Sequence, residues 1–335
     1  MTDTRYLVHG VFWDGPPAAT AADDGGAPVL RLQSPSGDFR ELGLRPGARL
    51  GFRVAGPAKS CLGRLVVHSS TRRDHILCKA AAPAARGRQC ERCFVLDESR
   101  LIHDFHRGGR VTPGLRDYLM QEHWLYVATF AGGTTKVGTA SGPRKWNRLA
   151  EQGATVARYV ARADDGRVVR VLEDLVTAEL GLTQLVRSRA KTEALLQPLA
   201  AGDLDAISRR HAGDVRHLLA RTAVGGFTVV DETWVRPAQA DAVHGPAARH
   251  AYPHPLDGGE HGFTVAAISG ANVLARLDGT ESLFVVNLSH LTARTIEPGD
   301  FASAVPAVQE ALFQDLRGSR PWQSGQGNPG RLGRC

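Results

Sequence analysis

Cys61-x16-Cys78-x11-Cys90-x2-Cys93 runs through a stretch of this 335-residue chain in which hydrophobic periodicity is poor. A segment that cannot build an apolar core needs another source of folding energy, and a metal shell supplies one. Four thiolates complete the tetrahedral coordination of a structural Zn2+. Gln89-Cys90-Glu91-Arg92-Cys93 has the tight spacing of a zinc knuckle, so Cys90 and Cys93 form half a site to which folding must bring Cys61 and Cys78. His68, His75, His103 and His106 are substitute ligands. The same residues also read as four unconnected thiols; a redox pair lacks the βαβ unit of a thioredoxin. Cys335 lies on the tail with no structural role expected. No apolar run approaches the roughly 18 residues of a membrane helix, and no signal-peptide core follows Met1-Thr2-Asp3-Thr4-Arg5, so a cytoplasmic protein with free or metal-bound thiols and no membrane partner is expected.

Charge is concentrated in the same region. Between Lys59 and Arg116, 12 basic residues face 5 acidic ones, an excess equal to the whole chain's net +7. A local basic excess of this kind attracts a polyanion, with Arg72, Arg73, Arg86 and Arg88 as candidate nucleic-acid contacts. The alternative is an ordinary solvated surface in an arginine-rich chain.

The remainder divides by its patterning into an α+β protein. Residues 1–60 carry short β-prone runs, Tyr6-Leu7-Val8, Val29 to Leu32 and Leu50 to Val54, with a long hairpin loop from Asp14 to Pro28, and read as a small barrel or sandwich. Residues 61–118 form the cysteine-rich basic segment. Residues 119–222 alternate strand and helix: strands at Trp124 to Phe130, Thr134 to Gly138 and Thr155 to Ala163, a helix from Pro143 to Gln152 ended by Gly153, and a Val/Leu-striped helix through Leu180 ended by Gly181. Helices over about 191–199 and 204–221 follow. Residues 223–315 return to strands and suggest a second small barrel, with a polar loop from Arg236 to Glu260; residues 316–335 read as a disordered tail.

Within the middle region, Leu125-Tyr126, Lys136-Val137-Gly138-Thr139, Arg148 and Glu173 place polar groups on two strands and two later helices. Taken singly, an Arg or Glu at such positions is ordinary solvated surface. In this order they resemble the GIY-YIG endonuclease superfamily, in which a strand ends in Tyr, a second strand in a Gly-containing motif, a helix supplies an Arg and a later helix a metal-binding Glu. The resemblance implies a central GIY-YIG-like α/β domain flanked by the barrel-like regions and the zinc-binding segment. It also implies hydrolysis at one Mg2+ or Mn2+ held by Glu173, with Arg148 stabilising phosphate charge and Tyr126 helping to activate or position water. Two positions depart from the pattern. Lys136 stands where the second motif has Tyr, which removes a proton-transfer hydroxyl but leaves a phosphate contact, and Trp124 stands where the first has Gly.

Residues 50 to 290 also resemble an uncharacterised bacterial family catalogued as domain of unknown function 2797. The likeness rests on the order of parts and on Arg148-Leu149-Ala150-Glu151-Gln152-Gly153-Ala154, with Leu149 where that family has an aromatic residue. It supports the architecture and carries no activity. Gly153 is explained as a helix terminus, whereas Gln152 is left as a candidate nucleic-acid contact. Three functions remain open: a metal-dependent nuclease acting on DNA or RNA, a non-catalytic zinc-containing RNA-binding protein, and an enzyme on a small anionic substrate. No Walker loop, dinucleotide fingerprint or Gly-x-Ser-x-Gly elbow is present to select a metabolite.

Overall fold

A computed structural model describes residues 5–14, 27–103, 105–245 and 247–304. In chain order the strands are β1 (Tyr6–Phe12), β2 (Val29–Gln33), β3 (Phe39–Gly43), β4 (Arg49–Val54), β5 (Arg64–Val67) and β6 (Arg73–Ile76), followed by helices α1 (Glu91–Val95) and α2 (Pro113–Leu119). The middle region comprises β7 (His123–Thr129), β8 (Thr135–Ser141), α3 (Lys145–Gln152), β9 (Val156–Ala163), α4 (Gly166–Leu180), α5 (Ser188–Ala194), α6 (Ala201–Leu219) and β10 (Phe227–Thr233). Then come β11 (Arg249–Ala251), β12 (Gly259–Ser269), β13 (Asn272–Arg276), β14 (Leu283–Asn287) and β15 (Thr295–Pro298).

The two terminal β regions, expected as separate small barrels, form one open nine-stranded sheet in the order β11-β14-β13-β12-β4-β15-β1-β2-β3. The reason lies in β4. Leu50, Phe52 and Val54 alternate inward at the period of a half-buried strand, and both hydrogen-bonding edges of β4 are taken by strands from the far end of the chain, β12 and β15. Period-2 patterning reveals a strand and its buried face but not its partner. β10 also departs from expectation: it leaves the C-terminal β region and joins the smaller sheet, of order β10-β9-β7-β8. The polar stretch expected from Arg236 to Glu260 contains a 3-10 helix, Ala238–His244, and β11. Residues 15–26 of the loop expected from Asp14 to Pro28, the tail expected over 316–335 and Cys335 lie outside the described residues.

Both faces of the small sheet are covered, which is why β7 reads as an almost continuous apolar run. Leu125 and Val127 point toward Val169, Leu172 and Val176 of α4 and Ala212, Val215 and Leu219 of α6. Tyr126 and Ala128 point the other way, into a core shared with Leu149 of α3 and with Phe52, Phe263, Ile268 and Val273 of the large sheet. The helix stops are as expected: Gly153 (φ 69°) and Gly181 (φ 68°) both adopt the left-handed conformation. Pro143 opens a 3-10 turn, Gly142–Arg144, and α3 proper begins one residue later. No helix among the described residues is long and apolar enough to cross a membrane.

Where β4 and β12 pair, Gly51 faces Gly262, and the backbone from Gly299 to Ala302 passes directly over both. A Cβ at Gly262 would overlap the Phe301 carbonyl oxygen, and one at Gly51 that of Gly299. Gly262→Ala is expected to destabilise the protein by about 1–3 kcal/mol through overpacking. Denaturant unfolding followed by circular dichroism checks this, and an unchanged midpoint would refute it.

Candidate functional site

The cysteine segment folds around its sulfurs. Cys61 follows β4 and is anchored by its amide to the Ala82 carbonyl, 2.8 Å away. Cys78 follows β6, and Cys90 caps α1, so that Cys93 returns one helical turn later. The four sulfur atoms lie within 4.8 Å of one another, with Cys78 and Cys90 4.0 Å apart. Tetrahedral Zn–S bonds place sulfurs roughly 3.8 Å apart, so this cage can hold a metal ion such as zinc with little adjustment. The Gly63 amide donates to Cys61 Sγ at 3.4 Å. The Cys93 backbone amide, together with the neighbouring thiols, draws Cys90 down to about 7, whereas burial pushes Cys61 and Cys93 up. Thiols crowded in this way lack a counter-charge, which a bound cation provides.

Three of the proposed histidine substitutes are engaged elsewhere. His68 Nε2 lies 2.9 Å from Asp74, His106 Nε2 lies 3.1 Å from Asp174, and His75 packs edge-on to His9. Asp97, buried, ties the segment together. It accepts from Gln89 Nε2 at 2.5 Å, from the Ser99 amide at 2.9 Å, from the Leu65 amide at 3.2 Å and from Ser99 Oγ. Burial alone would raise the Asp97 carboxyl, but these donors hold it below the usual carboxylate value.

In the middle region Tyr126, Lys136, Arg148, Gln152 and Glu173 act on one another. The Tyr126 ring lies across Gly138, its cross-strand neighbour, and a Cβ there would sit 2.6 Å from Tyr126 Cζ. The Gly of the second strand is thus needed by the Tyr of the first. Gln152 Nε2 donates to the Tyr126 hydroxyl at 2.8 Å, and Lys191 Nζ donates to the Gln152 carbonyl at 2.9 Å. Burial pushes the Tyr126 hydroxyl up, opposed by Arg148 and Gln152 and reinforced by Glu173. Lys136 donates to the Gln184 carbonyl at 3.0 Å; burial, then the positive charge of Arg148, brings its amine down to about 8. Lys191 falls to about 7 by burial and the nearby Lys136 and Arg148. Glu173 is 3% exposed and ion-paired with Arg170 one turn earlier; burial raises its carboxyl while Arg170 and Lys136 oppose. Among the described residues, the cysteines are the one group of three or more His, Cys, Asp or Glu placed to share an ion.

Beside this cluster a cavity of about 330 Å³ opens between α3, α4 and the cysteine segment, lined by Arg88, Arg144, Arg148 and Arg170 with the hydroxyl residues Ser99, Thr139 and Ser141. Among the described residues, no carboxylate lines it. Arg144 is paired with Glu151 at 2.6 Å, and Arg148 is exposed. Of the four arginines chosen from the cysteine segment, Arg88 lies here. Arg73 lines the adjoining cavity and sits over the ring of Tyr118, which lines the first, at 5.3 Å. Arg72 and Arg86 are surface residues paired with Asp74 at 3.6 Å and Glu91 at 2.9 Å, and line neither cavity. Sequence reasoning singled out neither Arg144 nor Arg170 as a site residue. The signal for Arg144 was its place beside Pro143, at the entry to the helix that carries Arg148.

No family model, curated protein or solved structure matches this chain.

Purified protein is expected to carry one metal ion per chain, measured by elemental analysis, and Cys90→Ser to lose it together with thermal stability. Full metal content in that variant would exclude the four-sulfur cage. The Asp97 carboxyl is depressed by folding, so its contribution is present above the unfolded value of 3.8 and is lost as pH falls through the lower folded value. Asp97→Asn should therefore flatten the fall in stability below about pH 4, read from urea midpoints across an acid pH series.

Proposed function

We propose that this protein acts on nucleic acid, using the arginine-lined cavity to seat a phosphodiester beside a zinc-bound cysteine segment. The single observation that carries the reading is the convergence of Arg88, Arg144, Arg148 and Arg170 on one cavity that no carboxylate among the described residues lines. Guanidinium groups bind phosphate oxygens through paired, charge-assisted N–H donors, and the hydroxyls of Ser99, Thr139 and Ser141 add short-range donors. A chain of phosphodiesters also suits a basic excess that extends along the cysteine segment. On this reading the middle region is a GIY-YIG-like scaffold. The order of strand with Tyr126, strand with Gly138, helix with Arg148 and helix with Glu173 supports it, as does the packing of Tyr126 over Gly138.

Binding is favoured over cutting because the Glu173 carboxylate is buried against Arg170, while Tyr126 is fully buried. A metal-dependent hydrolase remains the second reading. It is supported by the electrostatic coupling of the Tyr126 hydroxyl to both Arg148 and Glu173, which places an acid, a cation and a hydroxyl in one neighbourhood. Glu173 would then hold Mg2+ or Mn2+, and the metal would supply Lewis-acid stabilisation of the phosphate. The carboxylate must first be released from Arg170.

Binding of fluorescent oligonucleotides measured across a salt series tests the proposal. Wild-type affinity should fall steeply with salt, and Arg148→Gln should weaken binding about ten-fold and flatten the salt slope by about one phosphate contact. Salt-independent binding, or none, would overturn it. In parallel, cleavage with Mn2+ that disappears in Glu173→Gln would establish the hydrolytic reading, and absence of product from single-stranded and branched substrates would leave binding alone.

A further inference from the structure

The arginine cavity does not end at Arg88. Arg88, Ser99 and Arg144 also line a second cavity of about 470 Å³, so the two adjoin and are read together as one groove. The second part differs in chemistry. It keeps the arginines, Arg31, Arg64 and Arg73, and adds the phenylalanine rings of Phe12 and Phe39 to the Tyr118 ring of the first.

Phe39 lies on β3, an edge strand of the large sheet, and is 47% exposed, unusual for a phenylalanine. Its ring is not loose. It is held edge-on by His9 at 4.9 Å, and His75 lies 24° from parallel at 6.4 Å. Burial holds the His9 imidazole down to about 4, so the ring supporting Phe39 is neutral at physiological pH. Arg31 lies 4.1 Å over the Phe12 ring and is fixed there by Asp14 and Glu41. The only lining carboxylate among the described residues, Asp97, is consumed by its four internal donors. Among the described lining residues no carboxylate is therefore left free to repel a backbone.

We infer that this groove takes a single strand of nucleic acid, with the phosphodiester at Arg148 and Arg170 and a neighbouring unpaired base stacked on Phe39. The inference rests on the reading of the arginine cavity as a phosphodiester seat and adds the state of the strand. A positive track interleaved with a presented aromatic ring is the arrangement that binds single strands, because every base offers a π-face. A duplex keeps its bases stacked inside and has none to offer Phe39.

The test uses the full chain and short RNA and DNA strands carrying one 2-aminopurine, each also presented as a duplex. The expected result is tighter binding of the single strand, quenching of the probe on binding, and about ten-fold weaker binding with lost quenching in Phe39→Ala. Phe39→Trp should restore both. The salt slope in Phe39→Ala should match wild type, because no phosphate contact is removed, and an unchanged melting temperature confirms that the fold is intact. Wild-type affinity in Phe39→Ala, or equal affinity for duplex, would overturn the single-strand inference while leaving the phosphodiester seat standing through the Arg148→Gln salt slope. Loss of salt-dependent binding to every nucleic acid would remove the seat and the inference together.

Discussion

Four sulfur atoms within 4.8 Å of one another determine where the basic wall of the molecule stands. The segment that carries them has a small apolar cluster of its own, Val67, Phe105, Leu115 and Leu119, too little to fix its loops. The turn from Arg86 to Gln89 closes directly onto Cys90, and Gln89 is bound in turn to Asp97 and Gly63. Arg88 sits on that turn. Its place at the junction of the two cavities is therefore a consequence of how the sulfurs are gathered, and a cation at their centre would stiffen the groove as well as the segment.

The opposite wall is organised by charge imbalance in a dry setting. Arg170 and Lys136 act on the buried carboxylate of Glu173 against Asp174, and Lys136 and Arg148 act on Lys191. Both amines are held well below their ordinary value, as expected where cations outnumber anions away from water. Such a neighbourhood favours an incoming anion over an incoming cation. The same imbalance argues against easy capture of a divalent metal by Glu173, since its nearest cation already neutralises it.

Local elements were legible in the sequence wherever side-chain period or a glycine stop specified them. β2, β4, β7, β9, α4 and α6 fall close to the patterned runs, and Gly153 and Gly181 end their helices as their chemistry requires. Pairing was not legible, because alternation in Leu50, Phe52 and Val54 says nothing about whether the next strand comes from nearby or from the other end of the chain. Within the site, the Tyr126, Arg148 and Glu173 group stood out through its order along strands and helices. Arg144, Arg31 and Phe39 did not, since each belongs to a different element and acquires meaning only when the cysteine segment closes against the others. The surface arginines Arg72 and Arg86 show the converse: proximity in sequence to the cysteines did not place them on the groove.

The wiring of β4 sets an order of events during folding. The small sheet is assembled from contacts local to the middle of the chain, and β1 can pair with β2 and β2 with β3 as soon as they exist. β4 cannot, because its partners include Glu260 opposite Arg53, 207 residues further on. Until that far strand is made, β4 keeps both edges open, and loop closure over such a span is slow compared with hairpin formation. On the ribosome the N-terminal meander therefore waits, with an apolar strand face and two unsatisfied edges, while the middle of the protein folds ahead of it. The last strands to emerge are the ones that complete the first to appear.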